Sequence, residues 1–140
     1  MAIATIDQFM QALGMQESGN YNAPPHDDVG YWNLGGAYQI LQQNWSQWAQ
    51  NAGLSADAEY SAANQETVAR WVVQHYYDAY GDWAAVAAAW NGGPGGAESY
   101  QNYGQNSYMV TNGYVPSVMS KLSAILGGSV NPLEVPQAPE

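Results

Sequence analysis

Glu17 is the residue whose type and position most clearly invite chemistry. Ile3, Ile6, Met10, Leu13 and Glu17 fall at spacings of three and four, one face of a helix over 2–17. A carboxyl therefore closes an otherwise apolar stripe. Glutamate is rarely buried without a reason, and in the last turn of a helix the dipole opposes a negative charge. Both effects favour the protonated form, which is what a general acid needs to protonate a glycosidic oxygen. The plain alternative is a helix-end glutamate bonded to a nearby hydroxyl. A second cluster, Gly92-Gly93-Pro94-Gly95 after Trp90-Asn91, lets backbone approach a ligand closely, or is simply a loop. His26, Asp27 and Asp28 could suggest a metal, but three adjacent residues converge poorly on one ion, and His75 lies on a helical stripe as a core histidine. No metal and no cofactor are expected. No Gly-x-Ser-x-Gly occurs, and with no cysteine there is no thiol nucleophile, zinc-thiolate site or disulfide.

The composition narrows the ligand. Lys and Arg total 2 against 12 Asp and Glu, a net charge of -10. With Arg70 and Lys121 as the fixed cations there is no basic patch, which argues against nucleic acid and against anionic lipid. Only 10% of residues are charged, so the surface relies on Asn, Gln, Ser, Gly and Tyr, suited to neutral, hydroxyl-rich ligands. Six Trp and 11 Tyr supply rings for stacking on sugar faces. Trp48 and Trp71 read as core, whereas Tyr21, Tyr31, Trp32, Tyr100, Tyr103 and Tyr108 fall in polar or loop stretches.

The elements that must position these residues are helices. At 140 residues the chain is long enough for one domain with a real core. Thr5 or an earlier residue can cap the first helix and Gly19 can stop it, followed by a loop through Gly36. A second helix is expected over 38–52, closed by Gly53. A third is expected over 65–79, capped by Asn64, with Val68, Val72, His75, Tyr76 and Ala79 on one stripe. Asp82 caps an alanine-rich, buried fourth helix over 83–90, which the glycine cluster stops sharply. A short helix follows near 98–103, and a last one runs from Tyr114 or Val115 to Leu126, ended by Gly127-Gly128. No period-two pattern marks a strand, although the loop over 21–36 has room for a β-turn or hairpin. The fold class is all-α, as one domain over 1–128 with a Pro-rich tail or linker over 129–140. No apolar run is long enough to span a bilayer, and Met1 to Phe9 has no cationic region, so no membrane insertion and no secretory signal are expected.

Taken together, the motifs resemble the soluble lytic transglycosylase family, within the lysozyme-like fold that also includes goose-type lysozymes. The resemblance rests on four blocks in order: Glu17-Ser18-Gly19-Asn20-Tyr21-Asn22, then Gly36-Ala37-Tyr38-Gln39-Ile40, then Ala89-Trp90-Asn91-Gly92-Gly93-Pro94-Gly95, then Tyr114-Val115 with Val118. Each block alone is weak; the ordered set, covering residues 3–126, is specific. Tyr38 stands where the family usually has Met, and Trp90 where it usually has Tyr. The loop from Glu17 to Gly36 is longer than usual.

The resemblance implies a small helical domain with a substrate cleft, acting on peptidoglycan at the bond between N-acetylmuramic acid and N-acetylglucosamine. Glu17 matches the single catalytic acid/base, and Ser18 the residue beside it. Gln39 matches a sugar-contacting glutamine, Asn91 an asparagine that orients the substrate, and Tyr114 a tyrosine whose hydroxyl reaches the glutamate. Tyr38 and Trp90 would be altered sugar contacts. The product implied is a 1,6-anhydromuramic end. An inverting lysozyme-type hydrolase remains an alternative, with Asp27 or Asp28 holding the water. So does a wall-binding or structural virion domain with little turnover. A wall-acting domain that starts near Met1 and ends in a Pro-rich tail fits a virion-associated protein of a phage, with other virion proteins as partners. It fits equally a piece of a longer secreted chain acting at the cell wall.

Overall fold

The computed structural model describes residues 4–19, 23, 29 and 33–127. The chain is all-α: α1 Ile6–Ser18, α2 Gln42–Asn51, α3 Ala62–Tyr80, α4 Trp83–Tyr103, α5 Tyr108–Thr111 and α6 Tyr114–Ile125, with a 3-10 turn at Gly104–Asn106. Among the described residues there is no strand, only a single antiparallel bridge between Asn33 and Leu41. No described helix is long and apolar enough to cross a membrane. The described residues fall into two compact units, Leu13–Val72 and the remainder.

In the unit made of residues 4–12 and 73–127, the first helix opens on a reciprocal cap. The Gln8 amide N–H donates to Thr5 Oγ1 at 3.2 Å, and the Thr5 N–H donates to Gln8 Oε1 at 2.9 Å. Both satisfy donors that a helix start leaves orphaned. Trp83, 2% exposed, is the anchor. Its ring stacks on Phe9 at 4.7 Å between centroids and meets Tyr77 at 4.4 Å, while its Nε1 donates to Ala4 O at 3.2 Å. Such ring pairs contribute about 0.5–1.5 kcal/mol beyond the burial of their area. Beyond Trp83, residues 84–89 of α4 are buried and, apart from Val86, are all alanine. The small side chains let α5 and α6 pack close against α4. From α6 come Val115, Val118, Met119 and Leu122, fully buried at helical spacing.

In the unit Leu13–Val72, α2 and the start of α3 carry the core. Trp45 donates its Nε1 to Ala58 O at 2.9 Å and meets the edge of Tyr60 at 4.7 Å. Tyr38, Ile40, Ala49, Val68, Ala69 and Val72 are buried with them.

Several boundaries differ from expectation. The second helix begins at Gln42, not at residue 38, because Gly35, Gly36 and Gln39 hold left-handed φ of 79°, 80° and 54°, which no α-helix tolerates. The third starts at Ala62; its cap is Ser61, whose Oγ accepts the Asn64 N–H at 3.1 Å, and not Asn64. The fourth is not stopped by the glycine cluster. Gly93 breaks it locally (φ 69°, ψ -170°), and helical turns resume with Pro94, which needs no N–H partner at a first helical position, and run on to Tyr103. The short helix expected near 98–103 is the far end of this one. His75 is exposed and not in the core, as is Ala79, and Trp48 and Trp71 are half-buried. The buried tryptophans among the described residues are Trp45 and Trp83. The tail over 129–140 lies outside the described residues.

Asp82 caps α4 as expected, accepting the Ala84 N–H at 2.8 Å. Burial nevertheless raises its pKa above the ordinary 3.8, against the lowering effect of the cap bonds to Ala84 and Ala85. A carboxyl raised on folding stabilises the fold fully below pH 3.8 and loses that contribution as pH climbs through its raised folded value. Asp82→Asn keeps a good cap without a charge to bury. In paired thermal melts its stability relative to the native chain should rise as pH increases from 3.8 towards neutrality, whereas Asp82→Ala should lose about 1 kcal/mol through the missing cap.

Candidate active site

Glu17 and Ser18 occupy the last turn of α1, both half-buried. Met10 and Leu13, which precede Glu17 on the same stripe, are fully buried. Gly19 ends the helix in a left-handed conformation at φ 77°, its N–H donating to Met15 O at 3.0 Å. Ser18 turns its hydroxyl back onto its own helix, donating to Gly14 O at 3.0 Å. A serine bonded this way lends its proton to the backbone four residues earlier.

Gln39 is the single described residue other than glycine with positive φ, 54°. A left-handed glutamine costs about 1–3 kcal/mol and persists only where its surroundings hold it. The holding groups are all in the unit Leu13–Val72. Its own side chain donates from Nε2 to Gly36 O at 3.0 Å. Gly35 N–H donates to Asn33 Oδ1 at 2.9 Å, and Leu34 N–H to Ile40 O at 2.8 Å. Gly36 lies against Gln65 so closely that a Cβ there would run into the side-chain carbonyl. The Tyr60 hydroxyl donates to Gly35 O at 2.6 Å, and burial pushes this phenol's pKa up, so it remains a donor. Tyr38, expected to meet sugar, is 2% exposed, and its hydroxyl donates to Glu66 Oε1 at 2.7 Å. Its place is beneath the turn, holding it.

The chain matches no protein-family model, no curated protein and no solved structure.

Trp90, Asn91 and Tyr114 belong to the other unit. Trp90 is half-buried and Asn91 exposed, in the last turn before the Gly93 break. A Cβ at Gly96 would come within 2.6 Å of Ala88 O, so this glycine is needed for the backbone to double back so tightly. Tyr114 opens α6 behind the left-handed Gly113, its N–H donating to Asn112 Oδ1 at 2.9 Å. Thus Glu17, Ser18, Tyr38 and Gln39 share one compact unit, and Trp90, Asn91 and Tyr114 share the other. Asp27 and Asp28 lie outside the described residues, as do Tyr21, Tyr31 and Trp32; Tyr103 and Tyr108 are well exposed and Tyr100 is half-buried. Among the described residues no group of three His, Asp or Glu could hold a metal ion.

Tyr60, Gln65 and Glu66 went unmarked in the sequence. The one signal available was the i,i+4 spacing of Glu66 and Arg70, which commits one of only two fixed cations. The strain at Gln39 gives a direct test. Gln39→Val, β-branched in a left-handed position, should lower unfolding stability by roughly 2 kcal/mol in denaturant titrations. Gln39→Gly, which suits the backbone but loses the bond to Gly36, should stay within about 1 kcal/mol of the native chain.

Proposed function

We propose that the protein cleaves peptidoglycan as a lytic transglycosylase, with Glu17 as the single general acid and base. The observation that carries this reading is the half-buried glutamate closing α1 just before left-handed Gly19, in a chain that bears the three further blocks of the resemblance in order. The strained, tightly held Gln39 supports it, because strain of this kind collects at ligand sites.

Glu17 gives its proton to the oxygen bridging N-acetylmuramic acid and N-acetylglucosamine as that bond breaks. The muramic acetamido group stabilises the cation left at C1. The Glu17 carboxylate then takes the proton from the 6-hydroxyl of the same sugar, whose oxygen bonds to C1 and closes the 1,6-anhydro ring. One carboxyl suffices, because the nucleophile is already held next to C1 by the ring that carries it. Gln39 offers its amide to the glycan, and the resemblance adds Trp90, Asn91 and Tyr114 as sugar contacts. The scarcity of charge, 10% of residues, suits a polyhydroxylated ligand. A virion-associated or cell-wall setting fits a wall-degrading domain of this composition.

The competing hydrolase would add water instead, using a second carboxyl roughly 6.5–9.5 Å from the first, a role open to Asp27 or Asp28. Mass spectrometry of products from purified peptidoglycan separates the two. Anhydro-muropeptides are expected from the native chain and from Asp27→Asn combined with Asp28→Asn, at rates within about twofold of each other. Glu17→Gln should remain folded and lose at least about 100-fold in rate, the lower range for a positioned proton donor. Products heavier by one water, with the double aspartate variant inactive, would make the protein a lysozyme. A native chain that binds the wall without Glu17-dependent product would make it a binding domain.

A further inference from the structure

We infer that Glu66 is a positioning residue for Gln39, acting through Tyr38 and aimed by Arg70. This rests on the reading of Gln39 as a glycan contact. The start of α3 reaches the turn at three successive points. Tyr60, just before the helix, holds the Gly35 carbonyl; Gln65 fills the space against Gly36; and Glu66 takes the Tyr38 hydroxyl. The first two fix the beginning of the turn. Tyr60 also takes a backbone bond from Ile40, the residue after Gln39, and the third point fixes the residue before it.

Tyr38 is 2% exposed, so its hydroxyl needs an acceptor within the protein. Glu66 Oε1 supplies it at 2.7 Å, an ordinary length for a hydroxyl donor. The other carboxylate oxygen, Oε2, lies 3.3 Å from an Arg70 guanidinium nitrogen. With side chains 40% and 37% exposed, that pair adds little stability by itself. Its effect is directional: Arg70, one turn along the same helix, keeps the carboxylate turned so that Oε1 meets Tyr38. Anchoring the Tyr38 ring at its far end stops the peptide between Tyr38 and Gln39 from rotating towards an ordinary backbone region. Gln39 gives one amide N–H to Gly36. Its carbonyl oxygen and second N–H are what a sugar hydroxyl or acetamido group would meet, and their direction depends on the left-handed backbone beneath them.

The test uses the full chain with soluble, uncrosslinked glycan strands from peptidoglycan. It reads kcat and KM together with the backbone and side-chain amide NMR signals of Gln39, for Tyr38→Phe, Glu66→Ala, both combined, and Glu66→Gln. Tyr38→Phe and Glu66→Ala should each raise KM about tenfold, the scale of one misplaced hydrogen bond, with kcat changed less than about twofold. The double variant should be no worse than either single one, since both break the same link. Glu66→Gln, whose amide oxygen still accepts from Tyr38, should stay within about twofold of native, and the Gln39 signals should shift alike in the first three variants and return in this one. Additive losses in the double variant, an unrescued Glu66→Gln, or unmoved Gln39 signals would overturn the assignment. Should the native chain release no Glu17-dependent product, the transglycosylase reading fails, and the NMR pattern still decides by itself whether Glu66 positions Gln39.

Discussion

The turn from Gly35 to Gln39 cannot hold itself. Three of its five residues sit at left-handed φ, one of them a glutamine, and nothing in the local sequence favours that geometry for a residue with a Cβ. It exists because a helix start more than twenty residues later provides a phenol, an amide and a carboxylate in the right places. That makes the register of α3 the controlling variable. Ser61 sets it, by accepting the Asn64 N–H and so fixing where the first turn begins. A helix advances about 100° per residue, so a start displaced by one position would swing Gln65 and Glu66 away from the turn together. On the inference drawn for Glu66, the hydroxyl at this helix start bears on the direction of the Gln39 amide.

The shortage of cations shapes how this is done. With 2 Lys and Arg in 140 residues, a carboxylate cannot generally be steadied by an ion pair. Arg70 is committed to Glu66, and several anchoring contacts are made by neutral groups: the Trp45 and Trp83 indole N–H on backbone carbonyls, Tyr60 on Gly35, and the Thr5 and Gln8 pair. Contacts of this kind lose little to salt screening, unlike exposed charge pairs. The alanine run of α4 serves the same end by other means. It replaces large apolar side chains with close backbone approach, and the Gly93 break then redirects the helix without ending it.

Features controlled by neighbours in sequence were legible. Thr5 as a cap and Asp82 as a cap follow from contacts within about four residues, and the alanine-rich run of α4 could be read as buried from its composition. Glu17 was legible for the same reason, since a helix stripe is a local pattern. What could not be read depends on distant partners. Residues 38–41 look helical until Tyr60, Gln65 and Glu66 are in place to hold a turn instead. His75 and Ala79 share the periodicity of α3 yet are exposed, while Tyr77 on the same part of the helix meets Trp83. The glycine cluster misled in the opposite direction: its composition signals an end, but Pro94 lets helical turns resume as soon as Gly93 has changed the direction of the chain.

On the proposed reading, the two candidate groups in the unit Leu13–Val72 reach their positions by opposite routes. Glu17 sits on regular helix, one turn beyond a fully buried leucine, where its place follows from periodicity and needs no strain. Gln39 sits on irregular backbone, where its place must be imposed. A mechanism with a single carboxyl makes such a division sensible. Proton transfer tolerates a side chain with some freedom, because donor and acceptor need only meet within hydrogen-bond reach. Closure of the anhydro ring is less forgiving: the 6-hydroxyl must approach C1 along one direction, and the sugar has to be held for that to happen. Strain is therefore placed where orientation matters, on the residue that would grip the glycan, and the residue that would move the proton is left on the least strained element available.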